Sequence, residues 1–171
     1  SLADLVEATG AKAPTLYAEF VNKEGLFRAV LDRYISRFAA RHEALLFDDE
    51  KTVDRALRDY FTAVATCFTS KETPAGCFMI NTSAALAASS TDIATTVKSR
   101  HAMQEQTLTH FLQQRQLRGE LPPDGDVHQL AQFLNCILQG MSISAREGAD
   151  FTKIMQIAET TLRLWPQVLQ R

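Results

Sequence analysis

Thr15, Tyr17 and Lys23 set two hydroxyls and one ammonium within a short stretch of chain. Hydroxyl and ammonium donors at this density suit phosphate oxygens. Lys12, Ala13 and Ala18 lie beside them, where base edges could be met, and the alanine methyls suit thymine methyls. Glu19 sits in the same row and would repel phosphate unless it faces a base such as cytosine. No comparable set points to catalysis. The four histidines, His42, His101, His110 and His128, are scattered without metal-ligand spacing. Asp48-Asp49-Glu50 reads as a solvated cap, and no serine sits in a nucleophile elbow. An enzyme is not expected, nor is a cofactor or a metal.

These donors need a scaffold, and the surrounding residues describe one. Leu2, Leu5, Val6 and Thr9 recur at helical spacing, and Gly10 is a natural stop, which predicts a helix over 2–9. Pro14 suits a first helical turn, so 14–20 is a second short helix with Leu16 and Phe20 facing inward. Two short helices joined by a tight Gly-containing turn form a helix-turn-helix, whose second helix fits the DNA major groove. Asn22 caps a long third helix with the stripe Phe27, Val30, Leu31, Tyr34 and Phe38. Lys23 then stands at a positive helix end.

Beyond the Asp48-Asp49-Glu50 break, further helices are predicted over about 52–70, 77–88, 92–118, 126–147 and 150–169. Ser89-Ser90-Thr91-Asp92 caps one of them, and Leu121-Pro122-Pro123-Asp124-Gly125 is a loop. The chain is all-α. It divides into 1–46, a reading head with its connecting helix, and 47–171, a ligand-binding and dimerisation domain. An effector pocket is expected among the middle helices, lined by Tyr60, Phe61, Phe68, Phe78, Asn81, His101, Met103 and Gln104. The last two helices carry more apolar surface than one stripe requires. A second copy of the chain is the expected partner, met through Phe133, Ile137, Gly140, Ile154, Ile157, Thr161 and Trp165.

Composition narrows the class without choosing a partner. The chain has 171 residues and net charge −2, and residues 1–46 hold as many Lys and Arg as Asp and Glu. A basic surplus, the usual footprint of nucleic-acid binding, is absent. Cys67, Cys77 and Cys136 show no CxxC spacing, which fits reduced thiols in the cytoplasm, and Cys67 and Cys77 flank one loop where a redox-sensing pair is conceivable. No membrane span or signal peptide is expected.

The pattern Ser-Leu-x-x-Leu-x-x-x-x-Gly-x-x-x-x-Thr-Leu-Tyr-x-x-Phe-x-x-Lys-x-x-Leu is carried by Ser1, Leu2, Leu5, Gly10, Thr15, Leu16, Tyr17, Phe20, Lys23 and Leu26. It resembles the DNA-binding signature of the TetR family of transcriptional repressors. Gly76-Cys77-Phe78-Met79-Ile80-Asn81 is similar to a motif of some members. The resemblance implies a homodimer on a palindromic operator, released when a small molecule enters the C-terminal domain. On this reading Lys12, Ala13, Pro14, Thr15, Tyr17, Ala18 and Lys23 are the DNA-binding residues. Family members carry a helix before the helix-turn-helix, so the chain, which opens at Ser1, is expected to hold a truncated, partial head with its first helix missing. The alternative is an α-helical dimer that binds a small molecule or senses oxidants through thiols, without DNA binding.

Overall fold

A computed structural model describes residues 2–86 and 91–169. In chain order it contains α1 (Leu2–Thr9), α2 (Ala13–Phe20), α3 (Lys23–Tyr34), a π-helical turn (Ile35–Ala39), α4 (Ala40–Ala44), α5 (Val53–Phe68), α6 (Phe78–Leu86), α7 (Thr91–Leu117), α8 (Val127–Arg146) and α9 (Phe151–Val168). The all-α expectation holds, with boundaries one or two residues from those predicted. The cap expected at Ser89-Ser90 lies outside the described residues.

Side-chain caps set the helix starts. The Asn22 side chain accepts from the Gly25 N–H at 2.8 Å, Asp126 accepts from His128 and Gln129 at 3.0 Å each, and Asp150 accepts from Lys153 at 2.8 Å. α7 packs on α8, and α5 and α8 both pack on α9. Leu57, Phe61, Phe111, Leu112, Leu130, Leu134, Met141, Ile154 and Ala158 are buried between them. α6 packs against α3, α7 and α8, so it stands between the head and the larger domain.

One buried cation organises the chain between α4 and α5. Arg115, 2% exposed, donates to the carbonyls of Lys51 (2.6 Å), Asp48 (2.9 Å) and Leu46 (3.2 Å), and to Glu120 Oε1 at 2.9 Å. Glu120 Oε2 in turn accepts from the Val53 N–H at 2.7 Å, at the start of α5. A guanidinium has five donors in a rigid fork, enough to satisfy several carbonyls together.

The expectation of a partial helix-turn-helix is corrected. α1, the turn at Gly10 (φ 67°) and α2 are all in place, with α3 packed on α2. The motif's own helices all lie after Ser1, so reading the head as partial from its starting residue misplaced the boundary.

Candidate functional site

The head presents its polar row outward. Lys12, Pro14, Thr15, Ala18 and Lys23 are exposed, and Tyr17 is 50% exposed. Ala13 is half-buried, as are Leu16 and Phe20 on the inner side of α2. The Lys12 carbonyl accepts from the Thr15 and Leu16 N–H groups, which starts α2 with Pro14 in its first turn. Lys23 is the first residue of α3. Of the residues named for DNA contact, all but Ala13 are exposed.

The turn from α2 to α3 is under constraint. Val21 has φ 65° and ψ −50°, and the Asn22 N–H bonds the Phe20 carbonyl at 2.6 Å, a three-residue γ-turn. A β-branched residue there is strained. Gly25 is required behind it, because a Cβ at that position would run into the Phe20 carbonyl oxygen. Lys23 is held close to α2 by this geometry.

A cavity of about 30 Å³ lies where the head's helix meets the larger domain. Tyr60, Phe68 and Gln104, three of the residues named for an effector pocket, line it, and Gln104 Nε2 lies 3.5 Å from the Tyr60 hydroxyl. The other named residues stand elsewhere. Phe61 is fully buried in the core, Met103 is 49% exposed, and Phe78 stacks between Phe27 (5.7 Å) and Tyr34 (5.6 Å). Asn81 donates to the Ala75 carbonyl at 2.8 Å, and its Oδ1 is buried without a hydrogen-bond partner. His101 is half-buried, with Nδ1 also unpartnered, and burial holds its imidazole below the ordinary value.

Sequence reasoning missed Tyr34, Ala39, His42 and Glu43, which bring the α3–α4 segment into the cavity wall. For Glu43 the π-helical turn is the reason. It adds one residue to the helical repeat, so the 3.6-residue stripe through Phe27, Tyr34 and Phe38 does not carry on to Glu43. Cys77 and Met79 complete the wall from the α6 side, where the Gly-Cys motif was the available signal. The Tyr34 hydroxyl donates to Cys77 Sγ at 3.6 Å. Burial, then the neighbouring thiols, push the Tyr34 phenol up, and burial raises Tyr60 likewise. Burial lowers His42 and raises Glu43. Burial also raises the Cys67 thiol, with Cys77 adding to it, which lowers the thiolate fraction that redox sensing needs.

At the opposite side, Phe133, Ile137, Ile157, Thr161 and Leu164 border an open depression of about 550 Å³ on α8 and α9. Gly140 is exposed on the same helix. Ile154 (0% exposed) and Trp165 (3%), expected to meet the second copy, instead belong to the chain's own core. Leu164, 46% exposed, takes the outward place on α9. Among the described residues no three metal-ligating side chains are gathered, and no helix is long and apolar enough to cross a membrane.

Comparison with known proteins locates both parts of the chain. Residues 52–160 match the family model for the tetracyclin repressor-like C-terminal domain, and residues 1–30 match that of the bacterial regulatory proteins of the tetR family. The second match, with α1 and α2 in place and α3 packed on α2, corrects the expectation of a partial motif: the helix-turn-helix is intact. The chain is 74% identical over 170 residues to the HTH-type transcriptional repressor ComR of Escherichia coli K12, covering 99% of this chain and 81% of that protein. It is 26% identical over 158 residues to the repressor BdcR of the same strain, covering 92% and 75%. Among solved structures it is similar to a cysteine mutant of the regulator CifR complexed with 26-base-pair operator DNA. That match has TM-score 0.87 and 27% identity, and covers 97% of this chain and 86% of that one.

Proposed function

The chain belongs to the TetR family of transcriptional regulators, and from that premise we propose how it reads DNA and how it lets go. It is a transcriptional repressor that binds operator DNA as a homodimer, and its family is not one of enzymes. The polar row of α2 is the reading surface. Thr15, Tyr17 and Lys23 position the head on phosphates, while Lys12, Ala13, Pro14 and Ala18 lie toward the base edges. Phe133, Ile137, Gly140, Ile157, Thr161 and Leu164 form the dimer face, an apolar patch of the kind a twofold interface covers. The boundary between head and larger domain falls near residues 46 and 47. A cytoplasmic location suits a DNA-binding regulator with free thiols.

Release follows from the small cavity. The observation that carries this reading is Tyr34. It lines the cavity, bonds Cys77 and packs on Phe78, which stacks on Phe27 of α3. A molecule that widens the cavity displaces Tyr34, and the shift passes along α3 to the head. Two ion pairs, Arg28–Asp92 at 3.3 Å and Arg100–Asp32 at 3.0 Å, tie α3 to α7 and must be rearranged with it. An effector acts only by its differential affinity for the DNA-competent and released states.

A cavity-filling substitution tests this without an effector. Val64 lines the cavity, and Val64→Phe overpacks it as a bound molecule would. Operator affinity, measured on DNA from upstream of the protein's own gene, is expected to fall at least about tenfold, ~1.4 kcal/mol. Unchanged affinity in a folded dimer contradicts the assignment of the cavity.

A further inference from the structure

The composition of the cavity wall limits what can bind there. None of its ten lining residues is Lys or Arg, and Glu43 is its one carboxyl group. Glu43 is half-buried, and burial raises its carboxyl with no cation offsetting the effect. Burial also holds the His42 imidazole below its ordinary value, which disfavours a positive charge there. The rings of Tyr34, Tyr60 and Phe68 stand around the same space. A carboxylate beside aromatic faces is the chemistry that recognises positive charge on an organic group. The wall offers an anion no Lys or Arg. The Tyr34 hydroxyl is engaged with Cys77, the Cys77 N–H with Ser142 Oγ at 2.7 Å, and Gln104 Nε2 lies 3.5 Å from the Tyr60 hydroxyl. An anion would meet Glu43 with no charge to balance it, whereas a cation would favour the ionised carboxylate that burial alone disfavours.

We propose that the effector is an organic cation, an ammonium-type molecule held between Glu43 and the rings of Tyr34, Tyr60 and Phe68. This rests on the reading of the cavity as the effector site. At about 30 Å³ the space holds roughly one water, so an organic cation must push the wall apart. Four of the lining residues, Tyr34, Ala39, His42 and Glu43, sit on the segment running from the end of α3 through the π-helical turn into α4. A cation that draws Glu43 inward while displacing Tyr34 would therefore act directly on the helix that carries the head.

Isothermal titration of the dimeric protein with three probes of similar shape tests the proposal: benzyltrimethylammonium, benzyl alcohol and benzoate. The cation is expected to bind at least tenfold tighter than the alcohol, and benzoate not at all. Glu43→Gln should cost the cation tenfold or more and leave the alcohol unchanged, while Glu43→Asp keeps cation binding within a few-fold. Thermal melting with and without the cation gives a second reading, a rise in Tm for the wild type that Glu43→Gln loses. Benzoate or benzyl alcohol binding as tightly as the cation overturns the proposal, as does an unaltered cation affinity in folded Glu43→Gln. No cation binding up to about 10 mM also overturns it. If Val64→Phe blocks the alcohol while the cation shows no preference, the cavity remains the effector site and only its cationic character fails. If Val64→Phe changes the binding of no probe, both readings fail.

Discussion

Replacing Arg115 by Met removes the cation that fastens the segment between α4 and α5 while keeping much of its apolar stem. The side chain is 2% exposed, donates to three carbonyls and Glu120, and lies over the Phe111 ring at 5.2 Å. A hydrogen bond to a charged group contributes roughly 1.5–3 kcal/mol, and breaking a buried pair costs about 3–5 kcal/mol. The four bonds do not sum, because the carbonyls of Lys51 and Asp48 belong to half-buried residues and water can replace part of what they lose. A total loss of about 3–5 kcal/mol is expected, which corresponds to a fall in Tm of about 10 °C for a domain of this size. Urea unfolding at a fixed dimer concentration measures it as a lower midpoint at constant slope. A loss below about 1 kcal/mol would place Arg115 among ordinary surface ion pairs and refute the buried-anchor reasoning. Because the segment joins the head's helix to α5, the same variant should also weaken operator binding beyond its effect on folding.

Val21→Gly relieves a γ-turn backbone costing about 1–3 kcal/mol, against about 0.5–1 kcal/mol of added chain entropy, so the variant should be more stable by up to about 2 kcal/mol. A lower urea midpoint would refute the strain. His42 is held below its ordinary value of 6.5 by burial. The unfolded chain therefore takes up a proton near pH 6.5 that the folded chain refuses. Stability present above that pH falls as the pH drops through it, until the folded imidazole is protonated too. His42→Gln should flatten this fall, and an unchanged slope of stability against pH below 6.5 would contradict it. Ile157→Glu sets a charge in the apolar depression of α8 and α9 and should convert dimer to monomer in sedimentation velocity, with helix content retained. A variant that sediments as the wild-type dimer would move the interface elsewhere.

Local signals were legible in the chain wherever they act within a few residues. Gly10, Pro14 and Asn22 mark turns and caps by mechanisms confined to one helical turn, and α1, α2 and α3 begin or end beside them. Signals that depend on packing across the fold were not legible. The π-helical turn over Ile35–Ala39 has no Gly or Pro to announce it, and it turns Glu43 into the cavity. On α9 nearly every apolar side chain fits a two-sided helix, and only the packing of α5 and α8 decides that Ile154 and Trp165 face inward while Leu164 faces out. Arg115 lies in a run of polar residues, and nothing near it in the sequence shows that its three carbonyl partners are 64 to 69 residues away. The exposed row of α2 was readable because its residue types are few and its turn is short.

The most direct test is fluorescence anisotropy of the dimer on DNA from upstream of its own gene, beside a scrambled duplex, at low and moderate salt, with Thr15→Ala and Lys23→Ala in parallel. Binding should discriminate against the scramble and weaken with salt. Both variants should weaken binding about uniformly across sequences, and Lys23→Ala should reduce the salt slope by roughly one. Equal affinity for the two duplexes, or a Lys23→Ala dimer with the wild-type affinity and salt slope, would contradict α2 and the start of α3 as the surface that holds DNA.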